Sequence, residues 1–139
     1  MRLAEATWTD VRDAAVDVAF VPVGSTEQHG PHAPLGTDTL DAVAVAEAGA
    51  TAYEARNVDD GDVDEGDVDE AGEDAEVDED GAETAASAGT VAVAPPIPVG
   101  VAEEHRAFDG TMWVSADAFR AYVRESAASL THHGIDRVV

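Results

Sequence analysis

Three short apolar segments along the chain predict the strands of a sheet. Residues 18–23 read VAFVPV and residues 90–94 read TVAVA, and both have the length and the β-branched content of buried strands. Pro22 lies near the end of the first segment, where a strand tolerates it. Residues 135–139, IDRVV, begin a third segment of the same kind.

Helical patterns lie before and between these strands. Thr9 is a suitable N-cap for a short helix that runs to about Val16, and the alanine-rich residues 38–55 favour a long second helix. Ser115 precedes a third helix that Gly134 ends. Its apolar side chains recur at helical spacing: Phe119, Tyr122, Val123, Ala127 and Leu130.

The order strand, helix, strand, helix, strand indicates the fold class. Such alternation predicts an α/β fold in which helices pack on a mostly parallel sheet. The sequence stops inside its third core strand, at Val139. Because a full α/β domain would continue, we expect a truncated sequence.

The charge of the chain is strongly acidic and unevenly distributed. Among 139 residues there are 30 Asp and Glu, seven Arg and no Lys, which gives a net charge of −23. Residues 58–83 hold 15 of the acidic residues and no basic one. A segment so poor in apolar side chains cannot offset its chain entropy by burial. We therefore predict a disordered acidic insert over residues 57–88, between two ordered halves.

This composition excludes several classes of protein. A nucleic-acid binder or a protein of anionic membrane surfaces needs a basic patch, which the chain lacks. The absence of cysteine excludes disulfides, thiolate metal sites and a cysteine nucleophile. With no secretory signal or membrane-length apolar run, we predict a cytoplasmic protein. Abundant carboxylate without lysine favours a halophilic source, since salt screens self-repulsion; an ordinary acidic protein is the alternative.

Residues that carry chemistry are concentrated in the loop after the first strand. Glu27, His29, His32 and Asp38 fall within twelve residues, at the carboxyl end of a parallel strand, where open α/β sheets bind ligands. Glu27, His29 and Asp38 supply the carboxylate and imidazole groups of a hydrolytic zinc or manganese site, and His32 is a supporting residue. The alternative is that Asp38 caps the next helix and the others are ordinary loop residues.

A second polar patch follows the second strand, over residues 95–111. It should emerge at the same edge of the sheet, where His105 and Glu104 can contact substrate or support a ligand. A solvated turn is the equally weighted alternative for the charged residues of this patch.

Two segments resemble the creatininase (creatinine amidohydrolase) family. They are residues 22–39, PVGSTEQHGPHAPLGTDT, and residues 99–111, VGVAEEHRAFDGT. The resemblance implies a three-layer α/β/α fold, a homo-oligomer that is a hexamer in the family, and two divalent ions, Zn or Mn with Fe possible. Residue by residue, Glu27, His29 and Asp38 match metal ligands, and Asp38 matches the carboxylate that bridges the metals. Together with the composition, it suggests a haloarchaeal source.

The family chemistry implied by this resemblance is hydrolysis of a C–N amide bond in a small molecule. Two divalent ions activate a water and polarise the carbonyl. His105 is the candidate for protonating the leaving nitrogen, with Glu104 and His32 as supporting or substrate-contacting residues. The substrate is a creatinine-like amide or the formamide of a ribosylaminopyrimidine phosphate in flavin and deazaflavin biosynthesis, and no residue distinguishes them.

The chain departs from the family pattern in two ways. Residues 1–139 correspond to a partial domain, because the family's Asn-Gly-His-Gly-Gly-Asn-like loop, with a further His ligand, would follow Val139. The acidic insert replaces a short connection. We therefore expect little turnover from this chain alone. Two alternatives are a truncated, non-catalytic product that binds metal weakly or pairs with an intact paralogue, and a protein whose acidic insert is the functional part.

Overall fold

The computed structural model describes residues 1–59 and 90–139, so the predicted acidic insert lies outside the described residues except at its start. Single-turn 3-10 helices lie at Leu3–Glu5 and Glu103–His105. The remaining elements are α1 (Trp8–Ala14), β1 (Val16–Phe20), α2 (Thr37–Asp59), β2 (Thr90–Val93), α3 (Ala116–His132) and β3 (Arg137–Val138).

The three strands form one parallel sheet with the order β2-β1-β3. Val18 of β1 is in register with Val91 on one side and Arg137 on the other. The chain start follows the outer edge of β2, where the Val93 amide donates to the Met1 carbonyl at 2.8 Å. The central strand therefore has both of its edges paired, and its carboxyl end is flanked by that of β2.

Alternating side chains of the strands build two apolar clusters, one on each face of the sheet. On one face, α2 covers a cluster of Val18, Ala46, Ala50, Val91 and Val93. On the other face, side chains of α1 and α3 pack against Val16, Ala19, Ala92 and Ile135. Helices on both faces of a parallel sheet confirm the predicted α/β fold and its three layers.

Several predicted boundaries are corrected by the structure. Thr7, and not Thr9, caps α1, because Thr7 and Asp10 form a reciprocal capping box. Helix α1 ends at Ala14 and the first strand spans Val16–Phe20 instead of 18–23, since Ala15 takes a left-handed conformation (φ 47°) that stops the helix. The second helix is longer than predicted and reaches Asp59.

The third helix follows its prediction closely. The Ser115 hydroxyl accepts from the Ala118 amide at 3.2 Å, as expected of an N-cap. Tyr122 departs from the predicted apolar face, because its side chain is exposed. The final strand is only the pair Arg137–Val138.

None of the helices within residues 1–59 and 90–139 is both long enough and apolar enough to cross a membrane.

Candidate functional site

Two loops meet at the carboxyl end of the sheet. The first loop, residues 21–36, follows β1, and the second loop, residues 94–115, follows β2. The Gly24 amide donates to the Ile97 carbonyl at 2.9 Å, and the Ile97 amide donates to the Pro22 carbonyl at 2.8 Å. Farther out, the Thr26 hydroxyl donates to the Pro98 carbonyl at 2.7 Å. The parallel pairing of β1 and β2 thus continues into the loops and fixes one against the other.

Two glycines make this close approach possible. A Cβ atom at Gly24 would lie 2.5 Å from the Cα atom of Thr39, at the start of α2. A Cβ atom at Gly100 would lie 3.0 Å from the hydroxyl oxygen of Ser25. Distances of this kind leave no room for a side chain at Gly24 and little at Gly100. The positions of the first loop, the second loop and α2 therefore depend on each other.

His29 and Asp38 are brought together by a turn and a helix. Gly30 has φ 67°, a conformation that suits glycine, and the chain folds back so that His29 pairs with Ala33. Asp38 lies in the first turn of α2. The two side chains meet with His29 Nε2 3.4 Å from Asp38 Oδ1, at 24% and 39% exposure.

The His29 imidazole has an unsatisfied nitrogen. His29 Nε2 is buried and has no hydrogen-bond partner among the residues that the structure describes. Buried polar atoms are nearly always paired, and a cation shared between this nitrogen and the neighbouring carboxylate would satisfy it. A divalent cation fits this donor pair, because imidazole nitrogen and carboxylate oxygen are common ligands of zinc and manganese. Asp38 lies in the first turn of α2 and contacts His29, and its role as a metal ligand stays a prediction.

Glu27, the third predicted ligand, has a different contact. Its Oε2 atom accepts from the Ser25 hydroxyl at 2.8 Å, and its amide donates to the Leu35 carbonyl at 2.9 Å. Within residues 1–59 and 90–139, no three His, Asp or Glu side chains are grouped as metal ligands. The structure thus joins two of the three predicted ligands and leaves the role of Glu27 as a prediction.

The second loop places His105 next to the first loop. Its Nδ1 atom lies 3.2 Å from the Gln28 side-chain nitrogen, and its ring meets the Phe108 ring edge-on with 6.3 Å between centroids. His105 is half-buried, whereas His32 and Glu104 are exposed. In the described ranges, neither His32 nor Glu104 forms an ion pair or hydrogen bond through its side chain, so their supporting roles stay predictions.

Sequence reasoning did not single out Ser25, Gln28 or Thr39, which hold this site together. The Thr39 hydroxyl donates to the Ser25 carbonyl at 3.1 Å, and Ser25 in turn holds Glu27. The signal for these residues is their place within two positions of a predicted ligand, in or directly after a loop that is rich in glycine and proline.

The comparisons identify the family. A family model described as creatinine amidohydrolase (Creatininase) matches residues 4–139. The chain belongs to the creatininase family. Membership agrees with the two resembling segments, which are the two loops that meet at the sheet edge.

Named relatives come from mycobacteria. The chain is 36% identical over 110 residues to the mycofactocin precursor peptide peptidase of Mycobacterium ulcerans (strain Agy99), covering 79% of this chain and 33% of that protein. It is 36% identical over 114 residues to the protein of the same name from Mycolicibacterium smegmatis (strain ATCC 700084 / mc(2)155), covering 82% and 34%. The chain thus spans about a third of the length of these relatives. The predicted haloarchaeal source is not supported by these relatives.

Solved creatininase structures share the fold. A creatininase mutant aligns with a TM-score of 0.59 and 19% identity, covering 99% of this chain and 42% of that one. A structure described as creatininase Mn aligns with a TM-score of 0.56 and 18% identity, and a mutant of Zn-Zn type with 0.54 and 19%, at the same coverage. These likenesses confirm the three-layer α/β fold.

Proposed function

We propose that this chain carries the first part of a divalent-metal site that hydrolyses a C–N amide bond. The observation that carries the proposal is the buried His29 Nε2 atom, which lies 3.4 Å from Asp38 Oδ1 and has no hydrogen-bond partner in the described part of the chain. The pair lies at the carboxyl end of β1, where open α/β sheets bind ligands. Family membership supports the reaction class.

The residues of the first loop and of the start of α2 have separate tasks in this proposal. His29 and Asp38 hold the metal. Glu27 would become a third ligand when its carboxylate gives up the hydrogen bond from Ser25 and binds the metal instead. Zinc or manganese, two ions in a complete site, would supply an activated water and a polarised amide carbonyl. The close contact between the loops and α2 holds the His29 and Asp38 donors in place, and the hydrogen bond to Ser25 keeps Glu27 beside them.

The favoured substrate is a peptide. The relatives that are 36% identical to this chain are named peptidases of a precursor peptide. The charge of the two loops also argues against the phosphate-bearing formamide as the substrate. The only Lys or Arg in the two loops is Arg106, and its guanidinium lies 3.2 Å from the Glu103 carboxylate. The loops therefore offer a substrate phosphate one cation at most, already paired with a carboxylate at the surface. Nothing in the structure favours creatinine over a peptide.

The metal site is tested by titrating the chain with Zn²⁺ or Mn²⁺ in a calorimeter. We expect His29→Ala and Asp38→Ala each to weaken binding by about tenfold or more, because each removes one of two facing donors. His132→Ala is the matched control, since His132 lies at the end of α3, outside the two loops. Unchanged affinity in both loop variants would overturn the proposal.

The substrate class is tested separately with the zinc-loaded chain. Creatinine, an N-formylated arylamine and a set of tetrapeptides are supplied in parallel, and released amine is measured with and without chelator. We expect slow, chelator-sensitive hydrolysis of peptides only. Turnover of creatinine or the formamide in preference to peptides would contradict the peptide assignment. Zinc binding without hydrolysis of any of the three would instead favour the non-catalytic alternative.

A further inference from the structure

Gln28 connects the two loops through both ends of its carboxamide. Its Oε1 atom accepts from the Gly30 amide at 3.0 Å, within the first loop. Its Nε2 atom lies 3.2 Å from Nδ1 of His105, 77 residues away in the second loop. Gln28 stands between the candidate ligands Glu27 and His29 in the sequence, yet its own side chain contacts His105.

The chemistry of these two bonds fixes the direction of every hydrogen. A backbone amide can only donate, so the oxygen of the Gln28 carboxamide must face Gly30. The NH₂ group of Gln28 therefore faces His105, and it can also only donate. His105 Nδ1 must then be an acceptor without a hydrogen. A neutral imidazole with a bare Nδ1 carries its hydrogen on Nε2.

We propose that Gln28 is a positioning residue that holds His105 in the tautomer with hydrogen on Nε2, as a fixed hydrogen-bond donor to the substrate amide. Only the identity of the acceptor, an amide, rests on the proposed function. Nε2 of His105 makes no hydrogen bond to the described residues, so this donor is uncommitted.

The fixed tautomer also refines the role predicted for His105. A neutral imidazole that gave up its Nε2 hydrogen would become an unstable anion, and a second hydrogen on Nδ1 would collide with the NH₂ group of Gln28. His105 is therefore suited to donate a hydrogen bond to a carbonyl oxygen, as in an oxyanion site, and not to protonate a leaving nitrogen. No proton is transferred in this role.

The tautomer is measured directly by NMR on the metal-free chain with ¹⁵N-labelled histidine. Long-range ¹H–¹⁵N spectra at about pH 8.5, where an ordinary imidazole is neutral, distinguish bare from protonated ring nitrogens. His105→Ala assigns the signals of His105 among those of the five histidines. We expect a bare Nδ1 and a protonated Nε2. A wild-type chain with the His105 hydrogen on Nδ1, or with an even mixture, would overturn the proposal without any substitution at Gln28.

Variants of Gln28 test whether this residue sets the tautomer. Gln28→Glu offers only acceptor oxygens, so we expect the hydrogen of His105 to move to Nδ1. Gln28→Ala removes the contact, so we expect the mixture of an unconstrained histidine. Thr26→Ala is the matched control, because it deletes another bond between the same loops, to the Pro98 carbonyl, without touching His105. An equal response to Thr26→Ala, or none to Gln28→Glu in a folded chain, would contradict the proposal.

A zinc titration of the same sample separates this inference from the proposed function. Zinc binding is expected to shift the ring signals of His29, whereas the His105 tautomer is set before metal is added. If His29 does not respond but His105 shows the predicted tautomer, the metal site fails and the role of Gln28 stands. The opposite pair of results refutes only the role of Gln28.

Discussion

The two ends of the sheet are built in different ways. At the carboxyl end, polar groups tie the two loops together, and backbone atoms touch where Gly24 meets Thr39. At the amino end, apolar side chains of α1, the end of α3 and the chain start surround an open groove of about 600 Å³. Its lining includes Leu3, Trp8, Val11, Leu130 and Ile135.

This difference separates the part of the molecule that sets a geometry from the part that only packs. Backbone contacts at the carboxyl end cannot relax without moving one of the predicted metal-ligating residues, whereas exposed apolar side chains at the amino end have space to adjust. Substitutions of similar size should therefore have unequal effects at the two ends.

The largest effect is expected for Gly24→Ala, at the carboxyl end. The added Cβ would lie 2.5 Å from the Cα atom and 2.6 Å from the nitrogen of Thr39, and both are backbone atoms of α2. We expect the free energy of unfolding to fall by roughly 3 kcal/mol, because α2 itself must shift. Urea unfolding followed by circular dichroism measures this.

Gly36→Ala is the matched control in the same loop. A Cβ atom at Gly36 meets nothing within 4 Å. We expect its free energy of unfolding to stay within about 1 kcal/mol of the wild type, because no atom is displaced and the loss is only that of alanine against glycine directly before α2. Equal losses in the two variants would mean that glycine is needed for flexibility, and not for the close approach of the first loop to α2.

A smaller effect is expected for Gly100→Ala, where the obstacle is a side chain. The new Cβ would lie 3.0 Å from Ser25 Oγ, so Ser25 must shift by a few tenths of an ångström, which strains its 2.8 Å hydrogen bond to the Glu27 carboxylate. We expect a loss of about 1–2 kcal/mol in the free energy of unfolding together with a change in zinc affinity.

Ser25→Ala sharpens this prediction, because it frees Glu27 without crowding Gly100. We expect the same change in zinc affinity as in Gly100→Ala and a smaller loss of stability. Zinc affinity that changes in one variant but not the other would show that the Ser25 hydroxyl does not govern Glu27.

The sequence predicts most of the fold because the deciding signals are local. Ser115 and the helical apolar spacing after it mark α3, and the small and branched residues from Thr90 to Val93 mark β2. The error at α1 has a local cause as well. Both Thr7 and Thr9 suit an N-cap, but only Thr7 has an acidic residue three positions later to complete a capping box.

The site is predicted only as far as it lies within one loop. His29 and Asp38 are nine positions apart, and the Gly30 turn and the start of α2 bring them together. Glu27 contacts Ser25 in a space that is limited by Gly100, far along the chain. Gln28 meets His105 across 77 residues. Contacts of that kind depend on how the two loops meet, which no local spacing contains.

At the amino end, Trp8→Ala is expected to have a modest effect. Trp8 is 74% exposed, so the substitution removes little buried apolar area. The main interaction lost is the cation–π contact with the Arg12 guanidinium, which lies 5.0 Å from the centroid of the Trp8 ring. We expect a decrease of about 0.5–1 kcal/mol in the free energy of unfolding, measured by urea titration.

Trp8→Phe is the control, because it keeps an aromatic face for the Arg12 guanidinium. It should recover part of the loss. A decrease as large as that of Gly24→Ala would remove the contrast between the two ends, because it would mean that Trp8 is part of the packed core.

The smallest effect concerns the cap of α1 and is visible only in its pH dependence. The Thr7 hydroxyl donates to Asp10 Oδ2 at 2.6 Å and the Thr7 amide donates at 2.8 Å, and these bonds lower the pKa of Asp10. Because the pKa of Asp10 is lower in the folded chain than in the unfolded chain, its ionised carboxylate stabilises the fold at pH values above the unfolded pKa. This stabilisation disappears as the pH falls through the folded pKa. We therefore expect the wild type to exceed Asp10→Asn in stability at pH 7 and to lose that advantage below about pH 4.

In Thr7→Ala, the pKa of Asp10, measured by NMR of its carboxyl carbon, should move up towards the ordinary value. An Asp10 pKa that does not respond to Thr7→Ala would show that the capping box is not formed in solution.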